Sequence, residues 1–117
     1  MKSPKALSTL GMAMRAGMLA TGDEIVLKAV QKGQAKLVIV AGDASDNTKK
    51  KFRDKCSTYG VPLAIAFDRA ALGHAIGKSE RVIIAVTDSK FGQMIASHLS
   101  QHSEVDNIDQ STGQQGQ

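Results

Sequence analysis

One segment of the chain combines backbone and side-chain groups that could bind an anion. Residues 22–32 read GDEIVLKAVQK, and Ile25, Val26, Ala29 and Val30 recur at the spacing of a helix face that packs against a core. The first backbone N–H groups of such a helix have no partner within it. With Lys28 one turn further on, they could bind a phosphate group or the edge of a base. Glu24 and Lys28 are also spaced as an i,i+4 ion pair on a solvated helix, which is the alternative interpretation.

The side chains that could support catalysis or metal binding are scattered. Asp43 and Asp88 each follow an apolar run, as in a nucleotide-binding site of an α/β protein, but capping of the following helices is the simpler interpretation. The phosphate-binding pattern GxGxxG is absent, and so is GxxxxGK followed by Ser or Thr. His74, His98 and His102 have no cysteine or carboxylate at ligand spacing. We therefore predict no enzyme, no metal and no cofactor.

The charge of the chain is distributed unevenly. Residues 1–100 hold all fifteen Lys and Arg residues and eight acidic residues, a formal charge of +7, whereas the last seventeen residues hold three acidic residues and no basic one. A basic body of this kind favours a polyanionic partner such as RNA. The run Lys49–Lys51 is more typical of a solvated helix face, so we leave it out of the binding site.

Apolar runs and helix-like patterns alternate along the chain. The helices are predicted over 4–16, 22–32, 46–59, 69–76 and from 89 to about 99, and the strands over 18–21, 37–41, 61–66 and 82–86. The unbroken apolar run at 37–41 is typical of a strand that is covered on both faces. The alternation predicts an α/β fold, a three-layer α/β/α sandwich with about five helices and a small four-stranded mixed sheet, in which we expect most neighbouring strands to be parallel.

The same patterns predict which side chains are buried. Phe52, Cys56 and Tyr59 share one face of the third helix, so Cys56 is expected to be a core thiol rather than a nucleophile. In the last helix we expect the following residues to face inward: Phe91, Met94, Ile95 and Leu99.

Length and composition bound the domain organisation. Residues 1–99 are predicted to form one domain, and residues 100–117 lack the apolar content to fold and are predicted to be a disordered acidic and polar tail.

A single cysteine cannot form an intramolecular disulfide and fits a reducing compartment. No apolar run reaches the ~18 residues of a membrane span, and MKSPKALST has no signal-peptide core. We expect a cytoplasmic monomer that does not contact a membrane.

Three motifs in order give the chain a family resemblance. Gly22, Lys28, Ala29, Val30, Lys32 and Gly33 match the pattern Gly-x-x-x-x-x-Lys-Ala-(Val or Leu)-x-(Lys or Arg)-Gly, residues 35–38 match Ala-Lys-Leu-Val, and Leu72, Gly73, Ala75 and Gly77 match Leu-Gly-x-Ala-x-Gly. Over nearly all of residues 3–99 the chain resembles the kink-turn RNA-binding ribosomal protein superfamily of the L7Ae and L30e type, and within it the short bacterial YlxQ-like branch.

The resemblance implies an α/β/α sandwich that binds a kink-turn, a sharply bent RNA duplex with tandem sheared G·A pairs. In that family the helix start after the glycine enters the opened major groove, and the loop after the third motif contacts flipped-out nucleotides, because A-form grooves are unreadable until a bend exposes the bases. The resemblance also implies association with ribosomes or their assembly, with ribosomal proteins as further candidate partners. The residues assigned to RNA contact are Arg15, Gly22, Asp23, Glu24, Lys28, Lys32, Lys78, Ser79 and Arg81. The family resemblance places the Lys49–Lys51 run away from the end of the molecule that contacts RNA.

Two positions depart from the family pattern. Archaeal members have Asn and Glu where this chain has Glu24 and Ile25, and the loop at 78–81 is short and charged where several relatives are apolar. An isoleucine makes no polar contact with a base. The open alternatives are therefore a related but altered RNA target, or a protein-interaction adaptor on the same fold that has lost kink-turn recognition.

Overall fold

The structure is a computed structural model that describes residues 4–100 and the short segment 107–108. The helices are α1 (Pro4–Arg15), α2 (Asp23–Gln31), α3 (Asp46–Tyr59), α4 (Arg69–Ala75) and α5 (Ser89–Ser100). The strands are β1 (Leu19–Thr21), β2 (Leu37–Val40), β3 (Leu63–Ile65), β4 (Ile83–Val86) and β5 (Asn107–Ile108). Every helix predicted from the sequence is present, as are the four predicted strands, with boundaries shifted by at most a residue or two.

The described strands form one mixed sheet in the order β1-β4-β2-β3-β5. Among them β2 and β3 pair in parallel, whereas the pairs β1–β4, β2–β4 and β3–β5 are antiparallel. The mixed sheet is confirmed, but the expectation of mostly parallel neighbours is wrong. The reason lies in α4, since the chain leaves the sheet at Asp68 and returns beside it, where the Arg81 N–H donates to the Arg69 carbonyl at 3.0 Å. β4 therefore starts at the end where β3 finishes.

Helices cover both faces of the sheet and bury a core on each side. Alternate residues of β2 point to opposite faces: Val38 and Val40 pack in the core under α2 and α3, and Leu37 and Ile39 pack in the core under α1, α4 and α5. All four residues of β2 are buried, as the unbroken apolar run predicts. The three-layer α/β/α sandwich is confirmed.

In α3 and α5, two residues that the sequence predicts to be buried are exposed. Tyr59 is 48% exposed because it is the last residue of α3, and Met94 is 38% exposed because it lies one residue, or 100° around the helix, from the buried Ile95. Phe52 and Cys56 are buried as expected.

The predicted tail at 100–117 lies outside the described residues, except that Ser100 ends α5 and the backbone of β5 pairs with β3.

Candidate nucleic-acid interface

Four segments meet at one end of the sheet and are tied together by backbone hydrogen bonds. β1 ends where β4 begins, since Thr21 is the register partner of Ile84. The Ala41 N–H donates to the Val82 carbonyl at 2.8 Å, and the Gly42 N–H donates to the Phe67 carbonyl at 2.7 Å. We call this surface the loop end, and its residues are 22–25, 41–45, 66–69 and 78–82. Gly22 and the loop after Gly77 are about 55 positions apart in the sequence, and the strand pairing brings them to the same end of the sheet.

The start of α2 differs chemically from the other internal helix starts. Side chains of Ser45, Asp68 and Asp88 accept backbone N–H groups at the starts of α3, α4 and α5, at 3.1, 2.8 and 2.9 Å respectively. α2 instead begins on Gly22, which has no side chain to offer a cap. The Val26 N–H makes the first helical bond, to the Gly22 carbonyl. Within the part of the chain that the structure describes, the N–H groups of residues 23–25 therefore remain available as donors at an exposed corner.

Gly22 is required by its backbone conformation. Its φ of 97° and ψ of 144° lie in a region that residues with a side chain rarely adopt. A Cβ at this position would have no heavy atom within 4 Å, so the conformation and not crowding selects glycine. The open space leaves room for a ligand to approach the backbone closely.

Lys28 carries an uncompensated positive charge behind this corner. It lies about 6 Å along the α2 axis from Glu24 and is exposed. Among residues 4–100, no carboxylate lies within the 4.0 Å of an ion pair from its ammonium group. The i,i+4 pair with Glu24 that the sequence allows is therefore not formed in the structure, and Lys28 is available to a ligand.

The loop after α4 packs directly on a glycine of the third sequence motif. A Cβ on Gly73 would lie 1.9 Å from the Ser79 carbonyl oxygen and 2.9 Å from the Glu80 Cα. The Lys78 N–H donates to the Gly73 carbonyl at 2.9 Å, and the Arg81 guanidinium donates to the Ser79 hydroxyl at 3.0 Å and to the Glu80 carbonyl at 2.8 Å. The motif thus fixes the course of the 78–81 loop.

Arg69 belongs to the loop end although the sequence did not indicate it. Its backbone N–H and its Nε donate to the Asp43 carboxylate at 3.0 and 3.3 Å, and its Nη2 donates to the Asp43 carbonyl at 2.7 Å. Asp43 therefore holds the start of α4 and not the start of α3, the helix that follows it in the chain. The pairing spans 26 positions, so no local sequence signal reveals it.

The loop end also contains a backbone outlier. Phe67 has a φ of 62°, in the left-handed region, which costs a non-glycine residue about 1–2 kcal/mol. Two hydrogen bonds hold this segment, from the Ala66 N–H to the Val40 carbonyl at 3.0 Å and from the Gly42 N–H to the Phe67 carbonyl. A Cβ on Gly42 would lie only 3.0 Å from that carbonyl oxygen. The sheet therefore imposes the strained turn that starts α4.

Ile25 does not face the core as the helical pattern predicts. It is 60% exposed, whereas the next residue, Val26, is completely buried. Ile25 lies in the first turn of α2, 100° around the helix from Val26. The loop end therefore presents a large aliphatic side chain to solvent between two exposed carboxylates and Lys28.

Two of the residues assigned to RNA contact lie at the opposite end of the sheet. Lys32 is the C-cap residue that follows α2, about 12 Å along the helix from Glu24. Arg15 ends α1 just before Gly17, and the Met18 carbonyl that follows accepts the Thr87 N–H at 2.9 Å where β4 finishes. The structure brings together Gly22, Asp23, Glu24, Lys28, Lys78, Ser79 and Arg81, and it separates Arg15 and Lys32 from them.

A metal site and a membrane-spanning helix would each point to another kind of function. Within them no three His, Cys, Asp or Glu side chains are grouped so as to hold a metal ion. In the same part of the chain, no helix is long and apolar enough to cross a membrane.

Comparison with known proteins agrees with the fold and the motifs. The model of the ribosomal protein L7Ae/L30e/S12e/Gadd45 family matches residues 5–95. The RNA-binding protein YlxQ of Bacillus subtilis (strain 168) is 46% identical over 90 residues, which are 77% of this chain and 90% of that protein. A protein of unknown function from Bacillus halodurans C superposes with a TM-score of 0.79 at 51% identity, over 80% of this chain and 95% of the other.

A more distant structure shares the fold. The 15.5kD RNA binding protein of Giardia lamblia superposes with a TM-score of 0.72 at 24% identity, over 87% of this chain and 88% of that one. The family match covers most of the chain and includes all three motifs. The chain therefore belongs to the ribosomal protein L7Ae/L30e/S12e/Gadd45 family.

Proposed function

We propose that this protein binds structured RNA at the loop end and that its target is a kink-turn or another sharply bent RNA. The observation that carries the proposal is the uncapped start of α2, exposed beside the 78–81 loop and followed by Lys28, which forms no ion pair with any residue from 4 to 100. Family membership supports RNA as the class of ligand, and so does the name of the Bacillus subtilis relative.

The chemistry of the loop end divides between base contacts and phosphate contacts. Asp23 and Glu24 repel phosphate groups but accept hydrogen bonds from the exocyclic amino groups of bases. Ile25 offers an apolar surface to the face or sugar of an exposed nucleotide. Lys28, Lys78 and Arg81 supply positive charge around these groups. Such a surface requires an RNA in which the bases are accessible, and a bend or bulge provides them where a regular A-form duplex does not.

Lys32 and Arg15 enter the proposal as outer contacts. Lys32 meets RNA only if a stem continues along α2 from the loop end, and Arg15 only if the RNA also reaches the far end of α1. We further propose that the protein is a non-enzymatic cytoplasmic monomer that acts on ribosomes or during their assembly, with ribosomal proteins as neighbours. Crosslinking in cells followed by sequencing of the attached RNA identifies the target, and recovery of no ribosomal RNA would argue against this location.

A binding titration with matched RNAs tests the proposal. Fluorescence anisotropy is measured with a labelled duplex that contains a bulge and tandem sheared G·A pairs, and with a duplex of the same length in which Watson–Crick pairs replace the G·A pairs. We expect tighter binding to the bent RNA, and a loss of that preference in Lys28→Ala but not in Lys90→Ala, a control at the exposed start of α5. Equal affinity of the unmodified protein for both RNAs would refute recognition of the bend.

The exposure of Ile25 favours one other function, that of a protein-interaction adaptor. An aliphatic side chain that is 60% exposed is also suited to a protein partner. Affinity capture before and after nuclease treatment separates the two functions. Partner proteins retained after RNA removal, and lost with Ile25→Ser, would assign the loop end to protein binding.

A further inference from the structure

α3 carries the densest positive charge of the described residues. Five of the seven residues from Lys49 to Lys55 are basic, and one, Asp54, is acidic. Lys50 bonds to Asp54 at 3.2 Å, with 77% of the lysine side chain still exposed. Within residues 4–100 the other four cations of this segment form no ion pair. Most of the charge on this helix is therefore uncompensated.

The topology places this charge beside the proposed RNA site and not away from it. α2 and α3 cover the same face of the sheet through a shared core that includes Val26 and Phe52. Both helices start at the loop end, because each follows a strand that finishes there, and they run in the same direction. Lys50 lies about 6 Å along α3 from Asp46, the first residue of that helix, and Lys28 lies about 7.5 Å along α2 from Asp23. The two lysines are therefore at similar heights in one layer.

The cations of α3 are spread across its solvent side. At 100° per residue, Arg53, Lys50 and Lys51 fan over about 160° of the helix surface opposite the buried Phe52 and Cys56. This spread forms no single edge that could read a base. It fits a ligand whose negative charge repeats along its length, as in a phosphate backbone. Long flexible Lys and Arg side chains contact phosphates without reading sequence.

We propose that α3 is a second RNA-contacting element, which follows the phosphate backbone of the stem that leaves the bend. The stem emerges from the loop end and crosses the α2–α3 layer from α2 to α3. It passes Lys28 first and then Lys50, Lys51 and Arg53. The contact is electrostatic and independent of sequence. The inference rests on the proposed function for the seating of the bend, but the charge of α3 acts on any duplex that reaches it.

A salt titration of the full-length protein tests this contact. The variant K50Q/K51Q/R53Q is compared with K5Q/K36Q/K90Q, which removes the same net charge from exposed positions on α1, before β2 and on α5. Each phosphate contact contributes about 0.9 to the slope of log affinity against log salt on a duplex. We expect the α3 variant to lose two to three phosphate contacts on a long-stem bent RNA, which lowers the magnitude of that slope by about 1.8 to 2.7. The factor by which its RNA affinity falls below that of the unmodified protein should then shrink by about 10- to 40-fold between 50 and 200 mM salt. The control variant should show the same salt dependence as the unmodified protein.

The length of the stem provides the second arm of the test. On an RNA cut back to the bend and a few flanking base pairs, the α3 variant should bind as the unmodified protein does. An unchanged slope on the long-stem RNA, an equal loss in the control variant, or a full deficit on the short RNA would each overturn the proposal. A straight duplex distinguishes the two proposals. If the unmodified protein binds it as tightly as the bent RNA, the proposed recognition of a bend is wrong. If K50Q/K51Q/R53Q then loses the same affinity for both RNAs, the contact between α3 and the duplex is still supported.

Discussion

Replacement of Gly73 by alanine is the sharpest test of how the fold builds the loop end. The added Cβ would lie 1.9 Å from the Ser79 carbonyl oxygen, and contacts of a Cβ below 3.0 Å are essentially never seen. The loop must therefore move by more than 1 Å. The obstructing atoms belong to the backbone, so a change of side-chain rotamer cannot relieve the clash.

The free-energy change of Gly73→Ala has two opposing parts. Overpacking of this kind typically costs 1–3 kcal/mol, and the rigid obstruction places it near the upper limit of about 3 kcal/mol. Alanine is favoured over glycine inside a helix by up to about 1 kcal/mol. We expect a net loss of about 2 kcal/mol in the free energy of unfolding, measured by urea titration. A domain of this size should also melt at a temperature lower by about 8 °C or more.

Gly92→Ala is the matched control. Gly92 is a buried helical glycine like Gly73, but its Cβ would meet nothing closer than the Lys36 Cβ at 3.4 Å. The control should be neutral or slightly stabilising. RNA binding is measured on both variants at a temperature where both are folded, and we expect Gly73→Ala to bind the bent RNA more weakly because its loop is displaced. Equal stability of the two variants would refute the packing argument.

Further substitutions separate backbone, core and surface contributions. Gly22→Ala should destabilise the fold by about 1–3 kcal/mol in urea unfolding, because its φ of 97° is strained for alanine while space is not limiting; an unchanged midpoint would contradict this account. Val26→Ala should cost about 2 kcal/mol and Ile25→Ala less than about 0.5 kcal/mol, because the first side chain is buried and the second is 60% exposed; the reverse order would show that Ile25 is the core residue. Lys28→Ala should leave the melting temperature unchanged and weaken binding to the bent RNA by about 1–3 kcal/mol if the lysine contacts a base; a fall in melting temperature would reveal a structural role. Arg69→Ala removes three contacts to Asp43, so hydrogen exchange at the start of α4 should accelerate, and unaltered exchange would show that the backbone bonds suffice.

The elements of the fold follow from local sequence. Glycines and capping residues stand where the helices end and begin, and the apolar run of β2 identifies a strand that is buried on both faces. These signals are local, because a cap or a turn depends on residues a few positions apart. They predict the element order and the α/β class. The three motifs add the family and the site residues assigned through it, which stay predictions.

The arrangement of the loop end was decided by tertiary structure. The antiparallel entry of β4 between β1 and β2 brings the 78–81 loop to the start of α2, and strand pairing over such separations leaves no local pattern. The same applies to Arg69, whose partner is 26 positions away, and to Ile25, which the helical pattern assigns to the core. Periodicity states which residues share a helix face. It does not state how much of that face the rest of the protein covers, and only the packed structure shows that Ile25 lies in solvent while Val26 is buried.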